Sequence, residues 1–409
     1  MDNLLADADL CVKCGLCLPH CPTYQKTGDE NESPRGRIAL IQAFAGGQLE
    51  PSTKLTDHID NCLLCHACER ACPAVVPYGR LIDNFRSRTY SKHKSSMALS
   101  LVKKLADGSI SQAAIRPSLR FYQHSGWQKT ARWLKLPKLL QLQPLERLLP
   151  PLTSPAIELA ASYPATSKSV KGNVGLFTGC LGALLDQQTI TAAISVLTAV
   201  GYNVHLPSTQ TCCGALAQHD GDQLSAGQLM ATNSNAFAID DLTAIISLAS
   251  GCGSQLQAYK DPQFADKVLD ISDFLIRHAD LSERLKPLPI SIRLHTPCSL
   301  KNIMRSDAAV ARLLAKIPDL TIRPLASTQA CCGSAGSYML EHPKMASLLL
   351  DDVLDSALTE PADYLISSNI GCALHIGAGL RERGTNLTVL HPVVLIARQL
   401  ISAEDGTEK

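Results

Sequence analysis

Aromatic residues are scarce in this chain: Phe, Trp and Tyr together make up 4% of its 409 residues. Charge is balanced, with 38 basic against 37 acidic residues, so the chain lacks the basic surplus that phosphate backbones demand, and no nucleic-acid partner is expected. No run approaches the roughly 18 apolar residues of a membrane-spanning helix. The first residues, Met1-Asp2-Asn3-Leu4, carry neither a basic stretch nor an apolar core of the export type. There is no G-x-G-x-x-G fingerprint and no P-loop, so no flavin, dinucleotide or nucleotide site is visible. These absences predict a protein of a reducing, cytoplasmic compartment, in solution or peripheral on the inner face of the membrane. They also predict that the chain supplies no catalytic residue to an organic substrate.

Cysteine is what the chain has instead, 16 in all. Eight fall in two runs, Cys11, Cys14, Cys17, Cys21-Pro22 and Cys62, Cys65, Cys68, Cys72-Pro73. Both read C-x2-C-x2-C-x3-C-P, the spacing that holds iron–sulfur clusters in bacterial ferredoxins. Three closely spaced thiolates wrap one cluster, and the fourth serves the other cluster of the pair. Cys11, Cys14, Cys17 and Cys72 are therefore expected to hold one [4Fe–4S] cluster, and Cys62, Cys65, Cys68 and Cys21 the second. Zinc is the competing reading, but zinc sites pair two short knuckles and have no need of four cysteines and a proline in each run.

A chain of this length is too long for a ferredoxin alone. Residues 1–85 are assigned to the two-cluster module. Its runs are separated by 40 residues, in which Ser33-Pro34-Arg35-Gly36-Arg37 precedes an apolar stretch. Ser33 suits a helix cap and Pro34 the first helical position. Arg35 or Arg37 could also sit beside a cluster and offset its negative charge. Residues 86–170 are a connector ending in a proline-rich linker. Thirteen basic residues between 86 and 150, Lys92 and Lys94 among them, face only Asp107 and Glu146 there, with Trp127, Trp133, Phe121 and Tyr122 interleaved. Such a composition suits an anionic membrane surface, an acidic partner, or a connector whose aromatics pack on its own domains.

Residues 171–285 and 286–405 repeat one another. Cys180 corresponds to Cys298, Cys212-Cys213-Gly214 to Cys331-Cys332-Gly333, and Cys252 to Cys372. In the first repeat, strands are expected over 174–177, 204–206 and 244–248, with helices over 189–200 and 224–238. The second has strands over 292–295, 320–325 and 364–370. Short apolar strands alternating with helices predict parallel α/β units of Rossmann-like form, with the cysteines just past strand C-termini. The fold expected is thus multidomain, α followed by α/β. Spacing alone leaves the second cysteine set open to an iron–sulfur cluster, a thiol site or zinc.

The chain resembles the iron–sulfur subunits of bacterial glycolate oxidases, within a wider group that joins a two-cluster ferredoxin to two cysteine-rich CCG domains. That group includes a subunit of anaerobic glycerol-3-phosphate dehydrogenase, heterodisulfide reductase subunits and lactate-utilisation proteins. The resemblance rests on both ferredoxin runs and Ser33-Pro34-Arg35-Gly36-Arg37-Ile38. It also rests on Cys212-Cys213-Gly214-Ala215, Ser250-Gly251-Cys252-Gly253, His295-Thr296-Pro297-Cys298, Cys331-Cys332-Gly333-Ser334 and Asn369-Ile370-Gly371-Cys372. It implies an electron-transfer subunit that is inactive alone. An FAD-containing partner would oxidise glycolate to glyoxylate, and a quinone or similar acceptor would take the electrons. It also implies one or two further clusters held by the repeats. The chain departs from the wider pattern at Gln255 and His375, where a further cysteine is expected. The departure weighs against a five-cysteine cluster and against a thiol–disulfide enzyme, the main alternative besides a D-lactate or glycerol-3-phosphate dehydrogenase subunit. His295 and His375 are expected to be satisfied packing residues.

Overall fold

In the computed structural model, residues 4–90, 97–108, 112–152, 155–326 and 331–401 are described. Lys92, Lys94 and the last residues of the second repeat fall outside them. Helices Leu4–Asp9, Pro34–Ala45, Thr53–Asp60 and Tyr78–Thr89 surround the two ferredoxin loops. Apolar residues three to four apart place Ile38 with Ile41, Leu55 with Ile59, and Leu81 with Phe85 in a single core. Ser33 caps its helix as expected, its hydroxyl accepting from the Gly36 N–H at 2.9 Å, and Pro34 takes the first helical position.

Among the described residues the remainder is built on nine strands: β1 (Ser162–Tyr163), β2 (Gly172–Phe177), β3 (Tyr202–His205), β4 (Leu242–Ser247), β5 (Val268–Asp270), β6 (Ser291–Leu294), β7 (Thr321–Pro324), β8 (Tyr364–Ile366) and β9 (Thr388–Leu390). They form two sheets, β1-β3-β2-β4-β5 and β7-β6-β8-β9. All pairs are parallel except β1 with β3. Setting β1 aside, both sheets have the same order. In each, the chain direction of winding reverses between the first and third strands of the repeat, the position where open α/β sheets bind ligands. Cys180 and Cys252 follow β2 and β4; Cys298 and Cys372 follow β6 and β8. The expected 364–370 strand stops at Ile366, and helix Ile370–Glu382 begins four residues later. Ser367 and Asn369 turn their side chains to the site instead of continuing the apolar ladder.

The two repeats share a core. Helix Gln187–Ala199, which buries Ile190, Ala193 and Leu197 as its periodicity requires, packs on helix Pro392–Gln399 of the other repeat. The connector holds helices Met97–Ala106, Gln112–His124, Trp127–Trp133, Leu136–Leu139 and Gln143–Leu148. Ala131 and Leu148 are buried, but Phe121, Trp127 and Trp133 are 67%, 60% and 80% exposed. The reading in which the connector's aromatics pack on its own domains does not hold for these three. Among the described residues no helix is long and apolar enough to cross a membrane.

Candidate cluster sites

The sixteen cysteines gather into four groups of four, and none is in a disulfide. Cys11, Cys14, Cys17 and Cys72 line one small cavity of the ferredoxin module. Cys21, Cys62 and Cys65 line another, and Cys68 touches both. Cys72 thus shares a cavity with the three leading cysteines of the first run, and Cys21 with Cys62 and Cys65. The two loops share a backbone device: Lys13 and Gly15 in the first, Leu64 and His66 in the second, all adopt positive φ. Lys13, Leu64 and His66 hold this conformation without glycine's freedom, a cost met at sites where the loop must wrap a ligand. It turns the Leu64 N–H toward the Cys62 Sγ at 3.5 Å. Tyr78 donates its hydroxyl to the same sulfur at 3.7 Å.

Each ferredoxin group has an arginine. Arg35 pairs with Glu30 at 2.6 Å, and its backbone N–H donates to Cys17. Burial, the larger effect, still raises the Cys17 thiol above its ordinary pKa. Arg37 is buried, 3.9 Å from the Cys21 Sγ, and paired with Glu32 at 2.5 Å. Glu32 continues to His58 at 2.7 Å and to the Asn61 amide at 2.6 Å. Asn61 in turn accepts from the Tyr338 hydroxyl at 2.7 Å, so the network crosses into the second repeat.

Within the first repeat Cys212 is hydrogen-bonded to Cys180 and Cys213, and Cys213 to Cys252. The second repeat reproduces this with Cys331, Cys298, Cys332 and Cys372. Hydrogen bonds from their two neighbours hold Cys212 and Cys331 well below the ordinary thiol pKa, while those same bonds and burial push Cys180, Cys213, Cys298 and Cys332 up. Four soft donors gathered in a small volume suit iron–sulfur ligation. The Cys332 and Cys372 sulfurs lie 2.8 Å apart, and the Asn369 amide donates to Cys372 at 3.2 Å.

His375 packs as expected, its Nδ1 on the Cys332 carbonyl at 2.9 Å, with burial lowering its pKa to about 4. His295 is satisfied by Ser367 at 3.1 Å and also kept neutral by burial. It nevertheless brings a ring nitrogen within 4.8 Å of the Cys332 and Cys372 sulfurs. Gln255 is buried, three residues beyond Cys252. The sequence reading passed over Asn369 and Tyr78. Asn369 stood in a quoted motif and could have been found there, whereas nothing local marks Tyr78.

The Cys-Cys-Gly glycines hold positive φ, +87° at Gly214 and +77° at Gly333. A Cβ on Gly214 would meet the Ala226 carbonyl at 3.4 Å, but on Gly333 it would meet the Ala346 carbonyl at 2.6 Å. Gly214→Ala should therefore cost about 1–2 kcal/mol from backbone strain alone, and Gly333→Ala clearly more. Anaerobic thermal unfolding of the two variants checks the order; equal midpoints would remove the distinction.

The ferredoxin module abuts the second repeat. Burial, followed by the neighbouring Cys331, raises the Cys65 thiol, and Cys298 feels Cys65 in the same way. Asn302 donates to the Cys65 carbonyl at 2.8 Å, and Leu63 packs with Cys331 and Tyr338. The two repeats meet through Ser250 and Ser299, 2.8 Å apart, and through the Gly251 N–H donating to Asn369 at 3.2 Å. All eight repeat cysteines line one cavity of about 1820 Å³ between the sheets and the connector.

Four thiol quartets on a ferredoxin module and two parallel α/β repeats define an iron–sulfur electron-transfer protein. The family described as 4Fe-4S dicluster domain matches residues 7–76, and that described as Cysteine-rich domain matches 174–257 and 292–377. The probable glycolate oxidase iron-sulfur subunit of Bacillus subtilis (strain 168) is 31% identical over 399 residues, covering 91% of this chain and 89% of the relative. The glycolate oxidase iron-sulfur subunit of Escherichia coli (strain K12) is 30% identical, covering 91% and 90%. Lactate utilization protein A 1 of Bacillus cereus (strain AH820) is 27% identical, covering 53% of this chain and 95% of the relative. The chain belongs to the family of glycolate oxidase iron–sulfur subunits.

Proposed function

We propose that this chain carries electrons for a flavoprotein that oxidises glycolate to glyoxylate, and that it delivers them to a quinone or similar acceptor. The observation that carries this reading is the packing of the ferredoxin module on the second repeat, where Leu63 meets Cys331 and Asn302 donates to the Cys65 carbonyl at 2.8 Å. The ligands proposed are Cys11, Cys14, Cys17 and Cys72 for one [4Fe–4S] cluster, and Cys21, Cys62, Cys65 and Cys68 for the other. Cys180, Cys212, Cys213 and Cys252 would hold a third cluster, and Cys298, Cys331, Cys332 and Cys372 a fourth. Clusters in these positions supply one-electron redox chemistry. The chain's own share is to hold the thiols, to donate hydrogen bonds to sulfur from Tyr78 and Asn369, and to offset charge with Arg35 and Arg37. The chain acts as one subunit, inactive without its FAD-containing partner, on the cytoplasmic side of the membrane. Glycolate is preferred to lactate because the glycolate oxidase relatives match nearly the whole chain and the lactate-utilisation relative only half.

Iron and acid-labile sulfide, measured per chain after anaerobic purification, test the ligand assignment. Four quartets predict about 16 iron atoms. About 8 would mean that the repeats hold no cluster. Co-purification with a flavoprotein supports the subunit reading, and glycolate oxidation by the isolated chain would overturn it.

A further inference from the structure

The geometry points to a binding site for a prenylated quinone in the cavity between the two repeats, entered from a lipid surface past the connector. This rests on the electron-carrier reading and names its acceptor site. The cavity measures about 1820 Å³, with the space beside both thiol quartets included. Its two sides differ in chemistry. One carries both thiol quartets, with Ser299, Ser334 and Gln255 nearby as hydrogen-bonding groups for a carbonyl head. The other is the leucine-rich inner face of the connector, including Leu119, Leu145 and Leu148, which suits an isoprenoid tail.

The apolar lining continues to the surface. Trp127, Leu140 and Leu101 line the cavity and are also 60%, 46% and 40% exposed. Beside them Trp133, Leu139 and Phe121 stand out at 80%, 77% and 67% exposure. Lys129, Lys135 and Lys138 are exposed in the same short stretch. Aromatic and leucine side chains interleaved with lysines are the composition of a segment lying in an anionic lipid interface. A water-soluble acceptor would have no use for that surface, whereas a prenylquinone resides in lipid and must leave it by an apolar path. Two quartets facing one volume also match a two-electron acceptor. The quinone gains two electrons, drawn from the partner's reduced flavin, and two protons from water; both carbonyls become hydroxyls.

The chain's two tryptophans make the test direct. Trp133→Phe leaves Trp127 at the mouth as sole reporter, and Trp127→Phe leaves Trp133 outside. In the anaerobically purified, cluster-loaded chain, decylubiquinone should quench Trp127 saturably and Trp133 weakly. Vesicles containing phosphatidylglycerol should shift Trp133 emission to the blue, and phosphatidylcholine vesicles should not. Gly227 lines the cavity, and a Cβ there would meet nothing within 4 Å, so Gly227→Leu fills space without a clash. It should weaken quinone binding about tenfold, ~1.4 kcal/mol, while melting temperature and iron content hold. Equal, non-saturating quenching of both tryptophans, or quinone affinity unmoved by Gly227→Leu, overturns the site. That failure with about 16 iron atoms present leaves the electron-carrier reading standing; saturable binding with about 8 iron atoms keeps the site and removes the repeats' cluster role.

Discussion

Replacing Arg37 with methionine should destabilise the ferredoxin module by about 3–5 kcal/mol, the usual cost of stranding one member of a buried ion pair. Arg37 is 1% exposed and Glu32 8% at the side chain. The guanidinium also donates to the Thr23 hydroxyl at 3.1 Å and the His58 carbonyl at 2.7 Å. Burial opposes its charge, yet Tyr78, Cys62, Cys21 and Glu32 together outweigh burial and hold its pKa above the ordinary arginine value. Without it the Glu32 carboxylate keeps only His58 and Asn61. A second effect is electrostatic. A positive charge 3.9 Å from the Cys21 sulfur favours the more negative, reduced state of whatever that quartet binds. Its full Coulomb effect at an effective dielectric of 20 is about 4 kcal/mol, and the opposite charge on Glu32 cuts that down. Each ~1.4 kcal/mol lost lowers a one-electron potential by about 59 mV. The double variant Arg37→Met, Glu32→Gln separates the two effects. It should recover most of the stability, read by anaerobic unfolding. In an EPR-monitored titration its potential should recover only partway, because Glu32→Gln removes the opposing negative charge but restores no positive one. Potential and stability returning together would mean that Arg37 acts through the fold alone.

Arg37 also shows where sequence reasoning succeeds. The cysteine spacings mark both ferredoxin runs and the two repeats, though they leave the chemistry of the second set open, and the cap at Ser33 was legible too. What failed lacked a local signal. Lys13, Leu64 and His66 sit at positive φ with side chains that ordinarily avoid it, so no glycine announces the loop geometry. Strands β1, β5 and β9 are two or three residues long and exist because a neighbouring strand is there to pair with them. Ser367 and Asn369 read as the continuation of a strand, because their work lies across the fold, on His295 and Cys372. His295 shows the repeat breaking its own symmetry. Phe177 occupies the corresponding place in the first repeat, so only one of the two quartets has an imidazole beside it. The packing of Leu63 on Cys331 and the cavity walled by both quartets join residues far apart in the chain, and no spacing rule reaches them.

On the proposed cluster assignment, the packing of the ferredoxin module on the second repeat orders the two repeat sites, and the order has a kinetic consequence. Cys331→Ser should cut electron delivery to the acceptor about 100-fold, ~2.7 kcal/mol in barrier, while oxidation of glycolate by an artificial dye at the flavoprotein continues. The quartet of Cys298, Cys331, Cys332 and Cys372 adjoins the second ferredoxin loop, where Leu63 packs with Cys331 and Asn302 donates to the Cys65 carbonyl, whereas the first repeat meets the module at helix Tyr78–Thr89, where Arg86 donates to the His219 carbonyl at 3.2 Å. On the proposed cluster assignment the second repeat is expected to be the point of entry and the first the more distant station, reached across the Ser250 and Ser299 contact. Cys212→Ser should accordingly leave the reduction of the second repeat at its native rate, although it too slows the acceptor. Rapid-freeze EPR after glycolate addition to the assembled complex distinguishes the variants. In Cys331→Ser the ferredoxin sites should fill and stay reduced; in Cys212→Ser the second repeat should fill behind them. If Cys212→Ser instead leaves the second repeat oxidised, electrons enter through the first repeat, and the packing of Leu63 against Cys331 is structural only.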